Sequence, residues 1–207
     1  MGLSSDEGEA AVRLAREALE ARLKQGPEPR LKRLPSVFSQ KRGVFVTLNS
    51  ASSSGERLRG CIGFPYPVKE LSEAIVEAAV MAATEDPRFE PVTGAELGDV
   101  LVEVSVLTLP RAMEAVRRRD YPSQVRVGSD GLIVSNSFTS GLLLPQVATE
   151  FKLGPAEFLS QACMKAGLSP DAWLDEGVSV QTFQAEVFAE SHPKGTVHRV
   201  QLRESQG

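Results

Sequence analysis

The chain has 207 residues, of which 42% are hydrophobic and 24% charged, as expected of one globular domain or two small ones. Its net charge of −4 excludes a job resting on nonspecific phosphate binding, which needs a basic surplus. Its only cysteines, Cys61 and Cys163, exclude a disulfide framework and fit a reducing cytoplasm.

The first residues, MGLSSDEGEA, lack the basic and apolar regions of a signal peptide, and no apolar run approaches a membrane span; a cytoplasmic location with no membrane partner is expected. Ser4 with Glu7 forms a capping box, and Ala11, Leu14, Ala15, Ala18 and Leu19 give the helix behind it an apolar stripe. Gly26-Pro27 is expected to end that helix, and residues 26–35 read as a proline-rich connector. The β-branched run at 43–49 predicts a strand, and 58–64 its returning partner. Pro67 is expected to open a second helix, with Leu71, Ile75, Ala78 and Ala82 inside and Asp86-Pro87 as its stop. Val100, Val102, Val104 and Val106 alternate as one face of a strand over 100–107.

Residues 125–134 read as a hairpin that turns in 128–131. Pro145 starts a short helix. Gly154-Pro155 starts another, which Gly167 closes, with Phe158, Leu159, Ala162, Cys163 and Ala166 facing inward. A turn carries Trp173; residues 178–189 form the last long strand, and 198–202 add a short one. Hairpins mixed with helices argue for α+β with antiparallel sheets.

Absences prune the function classes. The chain has no GxGxxG after a strand, P-loop, GxSxG, HExxH or CxxC. Its two histidines, His192 and His198, sit late, with no ligand cluster beside them, so no metal site is expected. Arg117-Arg118-Arg119 and the RLKR stretch at 30–33 are charge runs of the kind that usually form solvated faces, so nucleic-acid handling ranks lowest.

The peculiar segment is LRGCIG at 58–63. Two glycines in a strand mark a close approach by another backbone or a ligand. Regular alternation would put Leu58 and Ile62 on one face and Arg59 with Cys61 on the other. A guanidinium beside the thiol would favour the thiolate, and burial would oppose it.

This segment carries a resemblance. The chain is similar to the AMMECR-one family, whose hallmark hexapeptide is LRGCIG. Further blocks resemble that family: GVFVTL at 43–48, DPRFEPV at 86–92, VEVSVLT at 102–108, VGSDGLI at 127–133, GLLLPQVA at 141–148 and EFLSQACMKAGLSPDAW at 157–173. Family members often carry His-Gly where this chain has Asp130-Gly131. The resemblance implies two subdomains, each an antiparallel sheet packed with helices, meeting across a cleft. Counting elements places the larger at 1–109 and 178–207, carrying LRGCIG, and the smaller at 110–177. It also implies a protein partner, a Memo-like or radical-SAM protein. It names no reaction and no cofactor.

Two function classes follow. In an enzyme, Cys61 acts as nucleophile or thiol carrier, Arg59 steers an anion, and Glu103 serves as acid or base. Leu58, Gly60, Ile62, Gly63, Asp86, Arg88 and Glu186 are the candidate ligand contacts around it. In an adaptor module the same region receives a peptide or protein, and Asp86, Arg88 and Phe89 order the loop beside it.

Overall fold

Ser4 caps the first helix as its sequence predicts. Its hydroxyl accepts from the Glu7 N–H at 3.2 Å and the Glu7 carboxylate accepts from the Ser4 N–H at 2.8 Å, so α1 runs Ser5–Lys24. The terminator is Gln25 rather than Gly26: Gln25 takes the left-handed conformation (φ 51°), and the Gly26 N–H returns to the Ala21 carbonyl. The computed structural model describes residues 2–26, 29, 34–52, 55–115 and 117–200. Most of the predicted connector at 26–35 lies outside them.

By its contacts the chain divides into two units. One runs up to Leu107 and resumes at Glu186; the other holds Thr108–Ala185.

In the first unit, β1 (Val44–Ser52) pairs antiparallel with β2 (Gly55–Phe64) on one side and β3 (Val100–Leu107) on the other. Val44, Val46 and Leu48 share the core with Val100, Val102, Val104 and Val106, under the apolar stripes of α1 and α2 (Leu71–Thr84). The second helix starts four residues after Pro67. Lys41 bridges Glu70 and the Leu71 N–H reaches the Gln40 carbonyl, so long-range pairing keeps the approach extended. An ion pair is buried here: the Arg16 guanidinium grips the Glu190 carboxylate, which also accepts from the Val102 N–H at 3.1 Å.

In the second unit, β4 (Arg111–Ala112) and β5 (Asp130–Ser135) pair with the first part of β7 (Ser179–Glu190), and β6 (Ser140–Leu143) pairs with β5, all antiparallel. The predicted hairpin at 125–134 is overturned. Residues Arg118–Gln124 form a 3-10 turn, and Gly128 (φ 87°) leads into β5. The reversal comes after it, where Asn136 Oδ1 accepts from the Phe138 and Thr139 N–H groups, each at 2.8 Å. Then come α3 (Pro145–Glu150), α4 (Pro155–Lys165), Gly167 (φ 75°) and a 3-10 turn over Ala172–Leu174. Phe158, Leu159, Ala162 and Cys163 pack on Leu132, Val134 and Val180. Burial pushes the Cys163 thiol up from its ordinary pKa. The last strand, β8 (Val197–Val200), pairs with the end of β7 in the first unit.

Candidate functional site

Strand register builds the site. Cys61 lies opposite Thr47, and Thr47 lies opposite Glu103, so the three form a row across β2, β1 and β3. The alternating residues Val46, Leu48, Val102 and Val104 are in the core. The row therefore occupies the face turned away from α1 and α2. The Thr47 hydroxyl donates to Cys61 Sγ at 3.4 Å, and the thiol is half-buried. Desolvation raises the pKa of the half-buried Glu103 carboxyl, and the Glu56 carboxylate raises it further. Two strand spacings separate Cys61 from Glu103, about 10 Å. Glu103 is thus out of reach of the thiol proton.

The backbone of Cys61 is held from the side. Its N–H donates to Asp86 Oδ2 at 2.8 Å, and its carbonyl accepts from Arg88 Nη2 at 3.3 Å. Asp86 is buried and also accepts from the Arg88 N–H at 3.1 Å, from Nε at 2.9 Å and from Nη2 at 2.7 Å. An edge strand's unpaired backbone groups are open to water or to another strand; here a carboxylate and a guanidinium take the place of that strand. Hydrogen bonds from Arg88, then from Cys61, hold Asp86 far below the usual carboxylate range against the opposing cost of burial. Asp86 thus does more than stop a helix.

Arg59 is placed otherwise than alternation predicts. Pairing passes from Leu48 opposite Gly60 to Asn49 opposite Leu58, which leaves Arg59 as a bulge. One extra residue reverses the alternation, so Leu58 shares Cys61's parity rather than Ile62's. The Arg59 guanidinium turns to the loop after α2: Nε meets Glu96 at 2.8 Å, and the Glu90 and Pro91 carbonyls accept from its terminal nitrogens at 2.7 and 3.2 Å. The Arg59 hydrogen bond, aided by Thr93, pulls the Glu96 carboxyl down to about 2 although partial burial opposes it.

The remaining candidates scatter. A Cβ on Gly60 would meet the Ala82 carbonyl of α2 at 2.0 Å, and one on Gly63 would meet the Val44 carbonyl at 2.2 Å. Both glycines are explained by neighbouring backbone. Ile62 packs against the core and Leu58 is exposed. Glu186 accepts from the Leu3 N–H at 2.8 Å and pairs with Arg199 at 2.7 Å, tying down the N-terminus rather than joining the Cys61 group. Thr47 is the site residue that sequence reading passes over. Its signal is its place as the polar outward residue of GVFVTLN. Among the described residues no cluster of His, Cys, Asp and Glu could hold a metal ion, and no helix is long and apolar enough to cross a membrane.

An antiparallel α+β chain whose LRGCIG strand is held by an Asp-Pro-Arg loop belongs to the AMMECR1 family, whose model matches residues 12–188. Its relatives include a protein of Methanothermobacter thermautotrophicus, 53% identical over 189 residues that cover 91% of this chain and 96% of that protein. Another, from Methanocaldococcus jannaschii, is 45% identical over 195 residues, covering 94% and 96%. The crystal structure of an uncharacterised protein from Pyrococcus horikoshii superposes with a TM-score of 0.79 at 46% identity, covering 97% of this chain and 99% of that one.

Proposed function

We propose that the chain binds a small molecule or protein segment around residues 59–63, with Cys61 as the reactive thiol. The observation that carries this reading is the in-register row Cys61, Thr47 and Glu103. A hydroxyl on the sulfur and a carboxyl about 10 Å away suit a ligand of that span. Asp86 and Arg88 act as positioning residues that fix the strand beneath the thiol.

A second reading, a non-catalytic interaction module, is favoured by a different observation. Both cations of the motif region are spent on holding the loop, Arg59 on Glu96 and Arg88 on Asp86. Its partner would be the Memo-like or radical-SAM protein that the family resemblance implies.

Iodoacetamide labelling of the folded protein, read by mass spectrometry, separates the two. The first reading expects Cys61 to be modified while Cys163 stays protected. If both thiols stay inert until the chain unfolds, Cys61 is no reactive group and the interaction module stands.

A further inference from the structure

The charges on the face that carries the Cys61 row do not balance. Past the bulge, Leu58 and then Glu56 follow Cys61 on that face of β2, and Glu103 stands on it beside Thr47. The cations near the thiol are already matched: Arg59 meets Glu96 at 2.8 Å, and Arg88 meets Asp86 at 2.7 Å. Arg57, opposite Ser50, alternates to the other face. Arg59 is therefore not free to steer an anion, the role expected of it in the hexapeptide.

The carboxylates are unmatched. Glu103 is half-buried and has no hydrogen-bond or ion-pair partner among the described residues. Glu56 accepts only from the neutral Asn49 amide, at 3.4 Å. Burial, then the charge of Glu56, raises the Glu103 pKa, so the two carboxylates feel one another. A cation bound beside Glu103 relieves both costs, and an anion adds to them. Leu58, 42% exposed, puts apolar surface on the same face.

We propose that the ligand of the Cys61 site carries a positively charged group on an aliphatic stem, received by Glu103, with Glu56 adding to the negative field. A free alkylamine and a lysine side chain share this chemistry. The inference names the ligand class of the site proposed above and rests on that reading.

The test labels the full chain at pH 8 with methanethiosulfonates of three charges: trimethylammonioethyl, methyl and sulfonatoethyl. In each, the thiolate attacks the sulfenyl sulfur, a mixed disulfide forms and methanesulfinate leaves. Rates at Cys61, read by mass spectrometry, are divided by those for 2-mercaptoethanol. The cationic reagent is expected to react about tenfold faster than the anionic one, and the double variant Glu56→Gln, Glu103→Gln to lose that preference. Hexylamine is expected to protect Cys61 from the methyl reagent where hexanoate does not. Protection by N-acetyllysinamide as well assigns the charge to a peptide side chain, and protection by hexylamine alone to a free amine. Equal or reversed rates, a preference that survives in the double variant, or equal protection by hexanoate would each overturn the proposal and leave the reactive thiol standing. A Cys61 inert to all three reagents would overturn the reactive-thiol reading and this inference with it.

Discussion

Replacing Asp86 by asparagine tests whether one carboxylate holds the LRGCIG strand. Asp86 accepts four hydrogen bonds, one from the Cys61 N–H and three from Arg88. An amide keeps the shape but turns one oxygen into a donor, which then faces either Cys61 N–H or the guanidinium. A buried donor set against a donor costs about 1–3 kcal/mol, and loss of charge assistance adds to it. The Arg88 side chain is 55% exposed, so water replaces much of what it loses. The net expectation is a loss of about 2 kcal/mol at pH 7, a fall in Tm of roughly 4–8 °C for a chain of this size. The sign with pH follows from linkage. Asp86 titrates lower in the folded chain than its ordinary 3.8, so its contribution is fully present above about pH 4 and drains away as pH falls further. Urea unfolding followed by far-UV circular dichroism should show the gap between wild type and Asp86→Asn narrowing below that pH. A loss under about 0.5 kcal/mol at pH 7, or a gap that stays constant into acid, would refute the reasoning.

Three further outcomes are expected. Gly60→Ala drives a methyl into the Ala82 carbonyl and should cost about 2 kcal/mol or more, while Gly98→Ala, with no neighbouring atom within 4 Å, should change stability by less than about 0.5 kcal/mol in the same urea titration. Arg16→Met leaves the buried Glu190 carboxylate with only the more distant Arg13 guanidinium, 4.0 Å away, as a charge partner and should cost about 3 kcal/mol by thermal unfolding; adding Glu190→Gln, which removes the charge and keeps an acceptor for Val102, should recover part of it. Glu103 has a raised pKa in the folded chain, so its favourable contribution is present below about pH 4.5 and lost as pH rises through the folded value. Glu103→Gln should therefore be more stable than wild type at pH 8 and equal to it near pH 4; equality at both would contradict the burial assigned to this carboxyl.

Local chemistry was legible where it acts alone. The Ser4–Glu7 capping box and the alternation over 100–107 identify α1 and β3 because each is specified within a few residues. Gly-Ser-Asp-Gly does carry a turn, closed by the Ser129 and Asp130 N–H groups on the Arg126 carbonyl, but it leads from a 3-10 segment into β5 instead of joining two strands, and the hairpin reverses on the single Asn136 side chain. The start of α2 depends on Lys41 and Gln40, some thirty residues upstream, and is invisible to a local reading. At the site, the hexapeptide pointed to Cys61, and its glycines to close packing. The bulge at Arg59 was not readable, and it decides which side chains accompany the thiol. Thr47 and Glu103 come together only through register set by the whole sheet, as Arg16 and Glu190 do across 174 positions.

The most direct test of the Cys61 row is the alkylation rate of Cys61 in the wild type, in Thr47→Val and in Glu103→Gln, with Cys163 as internal control. A hydrogen bond worth about 1 kcal/mol corresponds to roughly fivefold in rate, so Thr47→Val should move the Cys61 rate by about that factor and leave Cys163 protected. Glu103, two strands from the sulfur, should leave the rate nearly unchanged. A Cys61 that reacts no faster than Cys163 in the folded wild type, or a rate indifferent to Thr47→Val, would contradict the account and leave the strand as a packing element.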